Sequence, residues 1–415
     1  MRISTIQAFN NGVSGLQRNY SNVTRTQEQI STGNRILSPA DDPVASVRLL
    51  QLEQQQNVLN QYNSNLTAAK NSLAQEESTL NSVNTILQRV RELALSAGNG
   101  ALSQEDRQSI SAELGQREDE LLGLMNSRNA RGEYLFAGFQ GKSQPFVQNP
   151  DGTYSYTGDD GQRKLQVASS LELAINDSGK AVFQDVVNGG RLSLTDNSVP
   201  AAPANSISGL LVEDDVAFAN FPAGGIQLDF DAVDPLNYTI TTLPMPGTTT
   251  TGRLDDENDT QVHFSGATFF VNGTPPASSS FTIEGPDANP ATPPQSSIGI
   301  LNTIASLRQS LETADDTPTG NREVRDALAL AVTNLDNGIG TVDKARGNIG
   351  ARLNIIESTQ TDNENVTLVN KSVQADLREL DYAEALSRLT FQTIVLEAAQ
   401  QSYVKISSLN LFNKL

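Results

Sequence analysis

The chain has 415 residues and a formal net charge of −19, which argues against nucleic acid as a partner. It contains no cysteine and a single histidine, His263, so disulfides, thiolate chemistry and histidine-based metal clusters are excluded. The length allows two to four domains, and the absence of any run of 18 apolar residues predicts no membrane span.

The N-terminal arm begins with a predicted helix over residues 6–30. Its apolar residues recur at alternating steps of three and four, which is the a/d spacing of a coiled coil. We expect five of them to belong to an assembly seam: Ile6, Phe9, Val13, Leu16 and Tyr20. Gly33 and Pro39 should end this helix, and Asp42 followed by Pro43 predicts an N-cap with proline in the first helical position.

A second and longer helix is predicted from Pro43 to about residue 96, where the sequence AGNG ends it. About fifty residues make a helix of roughly 75 Å, which is too long for an ordinary globular core. The core positions predicted from its heptad spacing are Leu59, Leu66, Leu73, Leu80 and Leu87. Ser103, followed by two acidic residues, predicts the start of a further helix.

The middle of the chain differs in composition and in period. Residues 141–296 hold 14 of the 17 prolines and 19 acidic against 6 basic side chains. Short β-branched and aromatic runs such as IQLDF, ATFFV and SFTI are separated by turn dipeptides such as Asn272–Gly273. The pattern predicts an inserted, mainly antiparallel β domain over 141–297, with long exposed loops at 195–223 and 241–260.

The C-terminal arm returns to helix at 298–312 and then forms a second long helix with heptad spacing over 324–366. The core positions predicted there are Leu328, Leu335, Val342 and Ile349. This long helix is the expected partner of the long N-terminal helix across the β insertion. The predicted fold class is therefore α+β, with an elongated antiparallel α-helical bundle formed by the two arms and an inserted β domain.

The final helix, from about residue 383, is apolar on more than one face. Together with the first helix it presents more apolar surface than a single pair of helices can cover. We therefore expect both terminal helices to pack against neighbouring copies of the chain. The residues assigned to this assembly seam on the final helix are Leu389, Ile394, Leu396 and Tyr403.

The remaining polar features do not form a recognisable chemical site. His263 lies on a predicted strand without a second acid, base or nucleophile at a telling spacing. The acidic runs at 229–234 and 255–259 lack the glycine and terminal glutamate of an EF-hand loop. We therefore assign no catalytic, cofactor-binding or metal-binding residue. Three polar residues occupy seam positions, where they either fix helix register or face solvent: Gln27, Glu76 and Arg352.

Several segments resemble known families. QEQISTGNRILSPADDPVAS (27–46), ILQRVRELALSAGNG (86–100), ARGNIGARLNIIEST (345–359) and the segment 379–415 resemble characteristic blocks of bacterial flagellins, in the same order along the chain. NARGEYLFAGFQGKSQPF (129–146) and the pattern GATFFVNGTPP…SFTIEGP (266–286) are more similar to the flagellar hook–filament junction family. The β domain departs from both patterns in its long loops.

The resemblance implies three regions and a structural role. Residues 1–42 with 372–415 form a terminal helical layer, 43–140 with 298–371 form a long helical domain, and 141–297 form an outer β domain. The implied function is that of a junction subunit, not an enzyme, which joins the hook to the filament by ring assembly of its termini. The alternatives are a filament-forming flagellin and a surface adhesin with a helical stalk.

The resemblance also implies partners and a location. The expected partners are copies of the chain itself, an adjacent hook-associated protein on the hook side, and flagellin or a second junction protein on the filament side. An export chaperone is expected on the C-terminal helix. The location that the resemblance implies is the extracellular flagellum. Since the N-terminus lacks the apolar run of a signal peptide, we expect export without signal cleavage.

Overall fold

The computed structural model describes residues 2–100, 102–203, 205–286 and 295–412. Among these residues, six α-helices precede or follow a β-rich middle in sequence, and a seventh, short helix lies within it. The long helical arms and the central antiparallel β domain predicted from the sequence are confirmed. The helices are α1 (Arg2–Thr32), α2 (Pro43–Ala97), α3 (Gln104–Met125), α4 (Asp215–Phe218), α5 (Ile300–Thr313), α6 (Pro318–Arg378) and α7 (Tyr382–Phe412).

The helix starts follow from their capping residues. Asp42 Oδ1 accepts a hydrogen bond from the backbone N–H of Ala45 at 3.0 Å, and Pro43 is the first residue of α2. Ser103 and Asp106 form a reciprocal capping box at the start of α3. Both starts lie where the sequence predicts them, because an N-cap depends on local chain chemistry rather than on tertiary packing.

The central region contains fourteen strands among the described residues. In chain order they are β1 (Phe146–Gln148), β2 (Tyr154–Tyr156), β3 (Lys164–Ala168), β4 (Leu171–Ala174), β5 (Val186–Val187), β6 (Ser193–Asp196), β7 (Ile207–Val212), β8 (Ile226–Phe230), β9 (Asn237–Thr242), β10 (Thr249–Arg253), β11 (Thr260–Phe264), β12 (Ala267–Val271), β13 (Ser280–Glu284) and β14 (Ser297–Ile298). A π-helical turn, Lys180–Gln184, precedes β5.

Two larger sheets share one hydrophobic core. One has the strand order β10-β9-β8-β13-β6 and the other β11-β12-β7, with antiparallel pairing throughout both. Strand β8 contributes one face to this core, since its apolar residues Ile226, Leu228 and Phe230 are buried and alternate with polar residues. Phe269 of β12 and Phe281 of β13 belong to the same buried cluster.

The prediction of long exposed loops at 195–223 and 241–260 is wrong in part, because each segment contains a strand. Strand β7 lies in the first segment, with Leu211 and Val212 buried. Its alternation is interrupted by Gly209, which has a φ of +59°, and by a register shift opposite β12. Strand β10 lies in the second segment and is exposed along most of its length. Its pairing with β9 is made by the backbone, so no hydrophobic period marks it.

The chain forms two compact units, and the first contains residues 1–66, 167–169 and 357–415. In this unit the rings of Phe9 and Tyr403 lie 5.3 Å apart, which joins α1 to α7. The first part of α2 runs antiparallel to the last part of α6. Their polar contacts are Gln56 Nε2 to Thr367 Oγ1 at 3.3 Å and Asn363 Nδ2 to Asn63 Oδ1 at 3.1 Å.

In the first unit, the backbone that follows α1 pairs with the backbone between α6 and α7. The N–H of Arg35 donates to the carbonyl of Arg378 at 2.8 Å, and the N–H of Leu380 donates to the carbonyl of Gly33 at 3.0 Å. We call this pairing of residues 33–35 with 378–380 the terminal clasp. Gly33 has a φ of +70°, the left-handed conformation that glycine adopts without strain as α1 ends.

The second unit contains residues 67–166 and 170–356. Here α3 packs against α5. Hydrogen bonds between later residues of α2 and earlier residues of α6 show that the remainder of α2 runs antiparallel to the first part of α6. Asn84 Nδ2 donates to Asp343 Oδ1 at 2.6 Å, and Arg91 Nη2 donates to Asp336 Oδ2 at 3.1 Å. All nine residues named as helical core are buried, each within its own unit: Leu59, Leu66, Leu73, Leu80, Leu87, Leu328, Leu335, Val342 and Ile349.

Candidate assembly surface

The predicted seam of α1 is divided between a packed and an exposed face. Ile6 and Tyr20 are 64% and 65% exposed, and Phe9 remains 41% exposed beside the ring of Tyr403. Val13 and Leu16 are half-buried. The contact with α7 therefore covers only some of the apolar residues that the heptad spacing selects.

Polar residues supply part of the contact between α1 and α7. Thr26 Oγ1 donates to Gln392 Oε1 at 2.8 Å, and Thr26 is buried. A second buried polar residue of α1, Gln29, bonds instead to the segment that follows this helix, since its Nε2 donates to the carbonyl of Arg35 at 2.7 Å. Sequence reasoning missed both residues, because an apolar period carries no signal for a polar contact. Gln27, the polar residue in the predicted seam, is exposed.

Helix α7 exposes the larger apolar surface. Ile394 is 59% exposed, whereas Leu389, Leu396 and Tyr403 are half-buried. Further large apolar side chains lie open beyond the four assigned residues: Tyr382, Leu386, Phe391, Val395 and Val404. Exposed apolar surface of this extent on a helix is typical of a protein interaction site.

The exposed apolar surface of the first unit also extends to the start of α2. Val44, Val47 and Leu50 lie on its first two turns and are exposed. Near the end of α6, Leu368 and Val369 are exposed as well. The sequence did contain a signal for the α2 residues, since valine and leucine recur there every three positions.

The other sequence candidates have local structural partners. His263 Nδ1 lies 2.9 Å from Thr268 Oγ1 on the neighbouring strand, and the imidazole is largely exposed. In the acidic run at 255–259, Asp259 pairs with both Arg322 and Arg325 at 2.8 Å. Burial raises the pKa of Asp259, but the two guanidinium groups outweigh that effect and hold it below its usual value.

No group of three or more histidine, cysteine, aspartate or glutamate side chains is placed to hold a metal ion in the described part of the chain. No helix among the described residues is both long enough and apolar enough to cross a bilayer. The polar seam residues Glu76 and Arg352 both contact Asp177 and lie inside the second unit. Both side chains are largely buried, so these two residues do not face solvent.

Known proteins match this combination of helices and β domain. Residues 3–141 match the bacterial flagellin N-terminal helical region. Flagellar hook-associated protein 3 of Salmonella typhimurium is 34% identical over 220 residues, which is 53% of this chain and 66% of that protein. Hook-associated protein 3 of Legionella pneumophila has a solved structure with a TM-score of 0.63 and 26% identity, covering 79% of this chain and 98% of that one.

The chain therefore carries a flagellin-type N-terminal helical region and is similar in sequence and fold to flagellar hook-associated protein 3. A flagellin of Clostridium tyrobutyricum is also similar, at 24% identity over 94% of this chain and 95% of that protein. Within the hook-associated family, the alignment with the Salmonella relative spans slightly less than two thirds of that protein's own length. The exposed residues of α1 lie inside the matched flagellin region, and those of α7 lie outside it.

Proposed function

We propose that this protein is a structural, non-enzymatic subunit of the bacterial flagellum that joins the hook to the filament. Copies of the chain assemble into a ring by packing the exposed faces of α1 and α7 against their neighbours. The observation that carries the proposal is the exposure of Ile6, Tyr20 and Ile394 on helices that already pair with each other. The proposed assembly seam consists of the nine residues assigned from the sequence, five on α1 and four on α7.

The free energy available for ring formation depends on the number of exposed apolar side chains. Burying one side chain of the size of leucine or phenylalanine contributes about 1.5–3 kcal/mol. Ile6 and Tyr20 on α1, with Phe391 and Ile394 on α7, are each more than half exposed. Several such residues per copy are enough to offset the entropic cost of association, and a closed ring repeats the gain at each contact.

The proposed organisation assigns a role to each region. Residues 1–42 with 372–415 make the contacts of the ring, and residues 43–140 with 298–371 form the helical domain that supports them. Residues 141–297 form the outer β domain. Within 141–296 the acidic residues outnumber the basic ones by 19 to 6, which favours a solvated surface and a soluble monomer before assembly.

The proposed partners follow the order of the flagellum. A hook-associated protein contacts the ring on the hook side, and flagellin or a second junction protein contacts it on the filament side. An export chaperone covers the apolar C-terminal helix before export without signal cleavage, and the protein then resides in the extracellular flagellum. The exposure of Phe391 and Val404 supports a protective partner, since bare apolar helices promote aggregation.

A filament-forming flagellin is the second candidate, because the Clostridium flagellin aligns with 94% of the chain. The two functions differ in what the purified protein does. A flagellin polymerises alone into long filaments, whereas a junction subunit stops at a ring or requires the hook. Electron microscopy of the concentrated purified protein distinguishes them.

The decisive experiment is deletion of the gene followed by complementation. We expect the deletion strain to make hooks without filaments and to shed flagellin into the medium. Wild-type protein should restore filaments, and Ile394→Asp should not, because a buried charge at a ring contact is costly. Electron microscopy of the cells and the amount of flagellin in the medium are the two measurements.

Val233→Asp is the matched control, since Val233 is 93% exposed on the β domain, outside the proposed contact. This variant should restore filaments as wild type does. Filaments on cells that carry Ile394→Asp as the sole copy would contradict the assigned contact. Normal filaments on the deletion strain itself would contradict the proposed function.

A further inference from the structure

A buried carboxyl group lies in the helical seam of the second unit. Glu76 of α2 occupies a heptad position between Leu73 and Leu80 and is 1% exposed. Its Oε1 accepts a hydrogen bond from the backbone N–H of Asp177 at 2.9 Å. Its Oε2 is buried and has no hydrogen-bond partner among the described residues. An ionised carboxylate in such a place loses its hydration without full compensation.

A second carboxyl group shares this enclosed place. Asp177 follows β4, and its two oxygens lie 2.6 and 2.8 Å from Nη2 of Arg352 on α6. Gln162 Nε2 also donates to Asp177 Oδ1 at 2.7 Å. Asp177 therefore has strong partners for its charge, and Glu76 has only a backbone N–H.

The charged groups around Glu76 come from three parts of the unit. Asp177 is the neighbouring anion, and Arg352 of α6 is a nearby cation whose Nη2 already pairs with Asp177. Arg163, which precedes β3, is the second cation, and it already pairs with Glu133 at 2.7 Å. Burial, reinforced by Asp177, raises the pKa of Glu76 to about 8, and the Asp177 N–H and both arginines only partly oppose this.

We propose that Glu76 is a proton-dependent latch that holds residues 175–178, the segment leading out of β4, against α2 and α6. With a proton on Glu76, the site contains one neutral acid beside the balanced Asp177–Arg352 pair. Without that proton, two carboxylates share the buried site, and opening of the segment lets Glu76 reach water. The inference concerns folding of this unit and does not rest on the flagellar role.

The direction of the pH effect follows from linkage. A group with a raised pKa in the closed state stabilises that state fully below its ordinary pKa, and this stability is lost as pH rises through the shifted value. For Glu76 the window lies between the ordinary value of 4.5 and about 8. Within it, opening should become about tenfold more favourable for each pH unit.

Amide hydrogen exchange of the full-length protein tests the latch. Protection of residues 175–178, corrected for the intrinsic pH dependence of exchange, should fall about tenfold per unit between pH 5 and pH 7.5. Glu76→Gln keeps the shape of the neutral acid and should make protection independent of pH in that range. Glu53→Gln, at an exposed position of the same helix, should behave as wild type.

Either of two results overturns the proposal. The first concerns the wild-type protein alone and so does not depend on the folding of a variant. It is a corrected protection of residues 175–178 that stays constant between pH 5 and pH 7.5. The second is a loss of protection in Glu76→Gln with the same pH dependence as wild type, since another group would then be responsible. Infrared titration of the wild-type carboxyl groups gives an independent reading, in which a protonated carboxyl band should persist at pH 7.

Discussion

Arg107 is buried on α3, and we expect its replacement by methionine to destabilise the second unit strongly. Its Nη1 donates to the carbonyl of Leu102 at 3.2 Å, and its Nη2 donates to the carbonyls of Ala314 and Asp315, each at 3.1 Å. Nη2 also lies 2.9 Å from Asp316 Oδ1. The side chain thus fixes the start of α3 to the connection between α5 and α6.

The magnitude follows from these contacts. Methionine retains most of the apolar stem but donates no hydrogen bond. A buried acceptor that loses its partner costs about 1–3 kcal/mol, and hydrogen bonds to charged groups lie at the upper end of the usual range. Since the contacts are not additive, we expect Arg107→Met to lower the free energy of unfolding by about 3–5 kcal/mol.

The assay is urea unfolding of the full-length protein followed by circular dichroism, with hydrogen exchange at residues 314–316 as the local measurement. Arg117→Met is the control, because Arg117 lies on the same helix and pairs with the exposed Glu120 three residues away. That pair should contribute less than about 0.5 kcal/mol. Equal shifts of the unfolding midpoint in the two variants would refute the reasoning from burial and hydrogen bonding.

Three further predictions concern other parts of the chain. Leu80→Ala, which leaves a cavity at a fully buried seam position, should cost about 3–5 kcal/mol in urea unfolding, whereas the exposed Ser78→Ala should cost little. Asp259→Asn should cost about 1–2 kcal/mol near pH 7. Because the pKa of Asp259 is lowered in the folded state, that difference should disappear in thermal melts as pH falls through the folded pKa. Ile394→Asp should leave the free energy of unfolding of the monomer within about 0.5 kcal/mol of wild type, since the side chain is exposed. A larger loss would assign this residue to the folded core instead.

The helical arms were predictable because their stabilisation is periodic. Leu66, Leu73 and Leu80 recur every seven residues, and each is fully buried. The N-caps at Asp42 and Ser103 were predictable for a different reason, since they depend on chemistry within three or four residues. Both signals involve residues that are close together in the chain, so they can be recognised in a single sequence.

The parts that sequence reasoning missed depend on partners distant in the chain. The role of Glu76 is set by Asp177 and Arg352, which lie on other elements and have no fixed spacing from it. Strand β7 was hidden because Gly209 interrupts its alternation, and β10 because its exposed threonines lack an apolar face. On α1, Thr26 and Gln29 make buried polar contacts that no hydrophobic period selects.

The terminal clasp has a consequence for the order of folding. Arg378 Nε donates to Asn34 Oδ1, two residues separated by 344 positions in sequence, beside the backbone pairing already described. Contacts so distant in sequence carry a large closure entropy and form slowly. During synthesis, residues 33–35 cannot pair until nearly the entire polypeptide has emerged. A prematurely terminated product therefore leaves α1 without α7, and its apolar residues are open to proteolysis or to binding by other proteins.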